Sequence, residues 1–263
     1  MVLSLRKRIN YNHTYNTTTF AVSVSNVSIR RNMKKIFYSE LAYVIGIAVL
    51  ALGTAMMEQA DFGMSMVVAP AYLLHLKVSQ SLAFFSFGMA EYVFQGILLI
   101  AMMTLLRRFR TAYLFSFITA VIYGFTLDIM LNLMGYIPCS GIAARTIFYI
   151  LGMIVCAIGV SLLFHTYIPL EAYEMFVKEM SAKLGMDINR FKTIYDCTSC
   201  AIAVIMSFAF FGFGRFEGVK LGTIICALIN GRLIGLCSVW LEQTFEFKDG
   251  TKLKKFFERQ EQY

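Results

Sequence analysis

The sequence predicts an all-α membrane protein of about six transmembrane helices in two inverted three-helix repeats, each with a short surface or re-entrant segment. Three observations lead there. Six apolar runs are long enough to cross a bilayer. Basic clusters sit on alternate sides of them. The two halves of the chain resemble each other.

Composition comes first. Of 263 residues, 58% are hydrophobic and 15% charged, where a soluble domain carries about 25% charged residues. Mean hydropathy is +0.65. Only three prolines interrupt the chain. The net charge of +8 does not point to nucleic acid, because the basic residues flank apolar runs.

Residues 1–35 are basic and Thr/Asn-rich, without the apolar core of a signal peptide, and read as a disordered cytoplasmic tail. The Asn-x-Ser/Thr triplets at Asn12, Asn16 and Asn26 are given no role. A transmembrane domain follows over 36–242, with repeat one at 36–135 and repeat two at 143–242; residues 243–263 form a charged cytoplasmic tail. Crossing a core of about 30 Å takes roughly 20 helical residues. Runs at 37–57, 82–106, 112–134, 145–166, 192–213 and 219–241 meet that length. They are read as helices because lipid cannot satisfy an open strand edge. Two shorter elements, 62–78 with Pro70 and the amphipathic 169–186, are placed at the membrane surface or as re-entrant segments.

Charge orients the spans. Arg6, Lys7, Arg8, Arg30, Arg31, Lys34 and Lys35 precede span one. Arg107, Arg108 and Arg110 separate spans two and three, and Lys178, Lys183, Arg190 and Lys192 separate four and five. Lys252, Lys254 and Lys255 follow span six. The opposite loops hold Lys77, Arg145, Arg215 and Lys220. Both termini are therefore expected in the cytoplasm of a multi-pass protein of the cell inner (plasma) membrane.

The repeat rests on small residues. Gly46, Ala51 and Gly53 match Gly152, Ala157 and Gly159 at one constant offset, and VIYG (121–124) aligns with LING (228–231) at nearly the same one. Glu91 and Gln95 correspond to Asp196 and Cys200. Three spans per half is an odd number, so the halves are inverted. Gly46–Gly53, Gly152–Gly159 and Gly231–Gly235 read as helix-packing positions.

Charged groups inside spans need a partner or a cavity. Arg232 lies near the centre of span six and is expected to pair with Asp128 or Glu91, or to bind an anion. The candidate substrate-binding set is Glu91, Gln95, Asp128, Asn132, Asp196, Asn230 and Arg232, around a cavity between spans two, three, five and six. Asp196-Cys197-x-x-Cys200 lacks the ligands of a closed metal site, and His75 and His165 fall near span ends, so no metal and no cofactor are expected. The cysteines imply no disulfide framework. With no nucleophile–base pair and no phosphate loop, no enzyme is expected.

Several stretches resemble one family. LGTIICALINGRLIG (221–235), DFGMSMVVAP (61–70), YGFTLD (123–128) and YIPLEAY (167–173) are similar to the signatures of YczE/YyaS/YitT-type bacterial membrane proteins over roughly 37–242. Met66 and Arg232 each stand where that family's pattern has Pro, so the resemblance carries no role to Arg232. The resemblance implies an architecture similar to small-molecule uptake proteins, including the substrate-binding subunits of energy-coupling-factor vitamin transporters. The expected function is a small-molecule or ion transporter, or the substrate-binding subunit of one, with the lipid bilayer and possible partner subunits as partners. The alternative is a non-transporting scaffold or regulator that binds other membrane proteins.

Overall fold

The computed structural model describes residues 35–186, 188–213 and 218–250, without the side chains of 188 and 189. The tail at 1–34, Arg215 and the C-terminal stretch 251–263 lie outside the described residues.

Eight helices follow a first short strand. They are β1 (Lys35–Tyr38), α1 (Ser39–Ala60), α2 (Ala69–Val78), α3 (Phe87–Leu106), α4 (Thr111–Gly135), α5 (Ile142–Phe164), α6 (Ala172–Leu184), α7 (Ile188–Phe211), α8 (Leu221–Thr244) and β2 (Phe245–Lys248). Six of the helices, α1, α3, α4, α5, α7 and α8, are long and apolar enough to cross a membrane. The three prolines explain the punctuation. Pro70 opens α2, where its missing N–H is an orphan in any case. Pro138 and Pro169 fall between helices, so no proline interrupts a span.

β1 and β2 pair in parallel and tie the start of α1 to the end of α8. Ser39 Oγ donates to Asp249 Oδ1 at 3.1 Å beside them. At the opposite, far end, Arg145 holds the C-terminus of α1. Its Nε donates to Ala60 O at 2.7 Å, and its Nη2 donates to Asp61 O and pairs with Asp61 Oδ2 at 2.7 Å. Lys220 reaches the same carboxylate. The cations Arg145 and Lys220 thus meet the carbonyl end of a helix, where positive charge is favoured.

The centre of the bundle is an antiparallel crossing of α1 and α5. A Cβ at Gly53 would lie 2.5 Å from Cys156 N, and one at Gly159 would lie 2.6 Å from Leu50 N. One at Gly46 would meet Leu163, and one at Gly152 would meet Met57. These contacts are reciprocal at the offset that aligns Gly46 with Gly152: Leu50 stands for Cys156, and Met57 for Leu163. Only glycine lets the two backbones approach this closely. Gly231 and Gly235 differ from the expectation. A Cβ on either meets nothing within 4 Å, because their face of α8 points away from the bundle.

Packing is reciprocal for further pairs. α1 packs on α4 as α5 packs on α8, and α2 packs on α7 as α6 packs on α3. α3 packs closely on α4, whereas α7 and α8 stand apart.

The two short helices, with the segments that precede them, re-enter the helix bundle, one from each end. The irregular segment 62–68 descends from the far end until Met66 O accepts a bond from Ser199 Oγ, halfway along α7, at 2.9 Å. α2 then returns, and Lys77 Nζ donates to Phe210 O near the far end of α7. The segment 165–171 enters from the strand end. Ala172 N reaches Gln95 Oε1 in the middle of α3 at 3.0 Å. α6 then returns to the strand end, where Glu179 pairs with Arg110 at 2.8 Å and Lys183 donates to Leu105 O. Irregular backbone at such depth is tolerated where protein buries it or a cavity lies beside it.

Candidate functional site

Gln95 organises the site. It is fully buried on α3, one turn from Glu91, and its amide is saturated. Nε2 donates to Glu171 Oε2 at 3.2 Å and to Glu91 Oε2 at 3.4 Å, and Oε1 accepts from Ala172 N. The last bond satisfies one of the N–H groups that the first turn of α6 leaves without an intrahelical partner. Tyr173 OH donates to Glu91 Oε2 at 2.7 Å. Two buried carboxyl groups and one amide thus lock the N-terminus of α6 at mid-depth.

The segment before α6 is fixed from α4. Ser116 Oγ donates to Leu170 O at 2.6 Å, and Thr119 Oγ1 to Pro169 O at 3.0 Å. Tyr43 OH bonds Thr119 Oγ1 at 2.8 Å, adding α1 to the support. Across the site, Thr54 Oγ1 on α1 bonds Tyr123 OH on α4 at 3.0 Å.

Between these groups lies a cavity of about 60 Å³. Thr54, Ser65, Tyr123, Glu171, Tyr173, Glu174, Lys192 and Asn230 supply its polar wall, and Leu50, Val68, Val160 and Ile234 part of its apolar wall. Both re-entrant segments contribute, so the cavity marks their meeting point. Glu171 is 5% exposed, and its Oε1 is buried without a hydrogen-bond partner. Asn230 Oδ1 is in the same condition, as are Glu91 Oε1 and Asp196 Oδ1. The carboxyl groups of Glu91 and Glu174 lie near that of Glu171, so acidic groups crowd this side of the cavity.

The residues singled out from sequence divide into three groups. Glu91 and Gln95 belong to the cluster and sit behind Glu171, while Asn230 lines the cavity directly. Asp196 contributes a buried oxygen and faces Lys192 electrostatically. The other three lie elsewhere. Asp128 accepts from Ser86 Oγ at 2.5 Å and from Gly88 N at 2.8 Å, capping α3 at the far end. Asn132 is exposed near the end of α4. Arg232 is exposed on the outer face of α8 and pairs with neither Asp128 nor Glu91. Helical phase explains the last case. Two residues on from Asn230, Arg232 is turned by about 200°, to the opposite side of the helix. The cavity accordingly draws its spanning residues from α1, α4, α5, α7 and α8, and none from α3.

Sequence reasoning did not pick out Thr54, Tyr123, Glu171, Tyr173, Glu174 or Lys192. The available signal was Pro169-Leu170-Glu171, a helix break followed by an acid inside an apolar context.

A family of unknown function, DUF6198, matches residues 37–239. The chain belongs to that family. The matched stretch runs from β1 into α8, so it holds the re-entrant segments and every residue named in the cluster. No curated protein and no solved structure matches the chain.

Proposed function

We propose that this protein moves a small molecule or ion across the cell inner (plasma) membrane, or is the substrate-binding subunit of such a transporter. The observation that carries the reading is the polar cavity at mid-depth, where two re-entrant segments entering from opposite ends meet. Transporters bind their cargo at such places, between broken helices at the interface of two repeats. The halves are inverted repeats in this reading, supported by the reciprocal glycine contacts of α1 and α5. Both termini face the cytoplasm, in keeping with the basic clusters at the strand end. The resemblance to YczE/YyaS/YitT-type proteins agrees with a transport role, and no catalysis is assigned.

The test is uptake by vesicles carrying the purified protein, screened over ions and metabolites with a gradient imposed. Gln95→Leu, which removes the bonds that fix α6, abolishes uptake of the true substrate while the protein still inserts. Uptake unchanged by this variant would overturn the reading.

One observation favours the alternative, a scaffold or regulator of other membrane proteins. Arg232 stands on an exposed face of α8 with Leu228, Leu236 and Val239, a face suited to a partner helix that carries a carboxylate. Co-purification of a membrane partner that is lost in Arg232→Leu, together with vesicles inert to every solute, would shift the balance to it.

A further inference from the structure

We infer that the central cavity binds a small monovalent cation on Glu171 and Asn230, in exchange for a proton. The inference rests on the transport reading and names the substrate class of that same site.

Unpartnered atoms supply the first argument. Among the described residues, the two cavity-lining groups with a buried, unbonded atom are Glu171 Oε1 and Asn230 Oδ1; the amide oxygen is an acceptor, and the carboxyl oxygen is one once its proton has left. Glu91 Oε1 and Asp196 Oδ1, in the surrounding layer, are acceptors too. A buried polar atom without a partner is unfavourable, and what satisfies four oxygens is a donor or a cation. An anion would be repelled by the amide oxygen and by every carboxyl group in its ionised form.

Size is the second argument. A water needs about 10–15 Å³ on this measure, so about 60 Å³ holds a bare ion with a few waters. Drug-sized metabolites occupy sites of about 300–1,000 Å³.

Charge is the third. The carboxyl groups around the site are Glu91 from α3, Glu171 and Glu174 from the start of α6, and Asp196 from α7; among the described residues, the cationic side chain that lines the cavity is Lys192. The other titratable neighbours are neutral when protonated: Tyr43, Tyr123, Tyr173, Tyr195, Cys156 and Cys226. Among the described residues no three His, Cys, Asp or Glu side chains gather as a metal-binding group. One carboxylate with neutral oxygens suits an alkali or ammonium ion better than a divalent one.

The proton follows from the same surroundings. Glu171 is buried beside the carboxyl groups of Glu91 and Glu174, which disfavours a further charge there, while the N-terminus of α6, which it precedes, favours its ionised form. An entering cation tips that balance. The carboxylic acid gives its proton to water, and the carboxylate it leaves coordinates the cation.

The test uses the purified full chain in detergent at constant ionic strength, with choline chloride replaced by NaCl, KCl or NH4Cl. Thermal stability is followed across a pH series, and an indicator dye reports proton release in weak buffer. One of the three cations raises Tm above choline, its apparent Kd falls about tenfold per pH unit, and it releases protons. Glu171→Gln abolishes both signals. Asn230→Leu, which removes an amide oxygen that bonds to nothing, weakens the cation effect at least about tenfold and keeps the test open if the first variant does not fold. Identical Tm in all four salts, with a neutral or anionic solute stabilising the protein, overturns the cation inference and leaves transport standing. Identical Tm in all salts, with no stabilising solute and no uptake, overturns both.

Discussion

A single methyl group at Gly53 tests whether the α1–α5 crossing is the structural centre of the protein. In Gly53→Ala the new Cβ lies 2.5 Å from Cys156 N, 2.7 Å from Cys156 Sγ and 2.7 Å from Gly152 O. Ordinary contact begins at 3.4 Å, so the approach is roughly 0.9 Å too close, and two of the three atoms are backbone. Relief requires the helices to separate, because no side-chain rotation moves a peptide nitrogen. Overpacking of this kind costs about 1–3 kcal/mol. Alanine returns about 0.5–1 kcal/mol as the better helix former, leaving a net loss of about 1–2 kcal/mol. Gly235→Ala is the matched control. Its Cβ meets nothing, so only the helix-propensity gain remains. The assay is equilibrium or thermal unfolding in one detergent, with the two variants beside wild type. The expected order is Gly53→Ala below wild type and Gly235→Ala at or above it. A Gly53→Ala protein as stable as wild type, or a Gly235→Ala protein that falls as far, would refute the assignment of α1 and α5 as the close-packed pair.

Four further outcomes follow from the contacts described. Arg145→Ala removes three donations to the end of α1 and lowers stability by about 1–3 kcal/mol; Arg145→Lys, without the guanidinium fork, does not restore it in chemical unfolding. Asp128→Ala uncaps α3 and costs about 1–3 kcal/mol, while Asp128→Asn, which keeps an acceptor for Gly88 N, recovers part of that in the same unfolding curves. Arg232→Leu leaves monomer stability within about 0.5 kcal/mol of wild type, as at other exposed positions; breaking a buried ion pair would cost about 3–5 kcal/mol, so a loss of that size in thermal unfolding contradicts the outward placement. Glu171→Gln keeps an acceptor for Gln95 Nε2, whereas Glu171→Leu removes it and costs about 1–3 kcal/mol more in thermal unfolding; equal stability of the two variants would remove this bond as a support of α6.

The spans were legible because hydropathy over about 20 residues is a local property. Span ends came within a few residues of the observed helices, and the Gly46/Gly152 offset pointed to the helices that meet at the centre. Glu91 and Gln95 were legible as acid and amide one turn apart in an apolar run. What they hold was not, because the partner lies in a separate stretch of the chain, at 171–173. The sequence left 169–186 open between the membrane surface and a re-entrant path, and its depth depends on Gln95, Ser116 and Thr119, more than 45 residues away in the chain. The misplacement of Arg232 has a different origin. Its position along the span was read, but its angle about the helix axis was not. Cys226, Asn230 and Ile234 recur every four residues on one face of α8, and that period alone turns Arg232 away from it.

The pairing of β1 with β2 bears on how the protein is made. Lys35 partners Phe245 and Tyr38 partners Lys248, so the first strand finds its mate only after α8 has been synthesised. No earlier segment of the described fold offers β1 that edge. Membrane insertion can begin with α1, but this clasp closes only after α8 has been made: a chain truncated within α8 leaves β1 without its ladder.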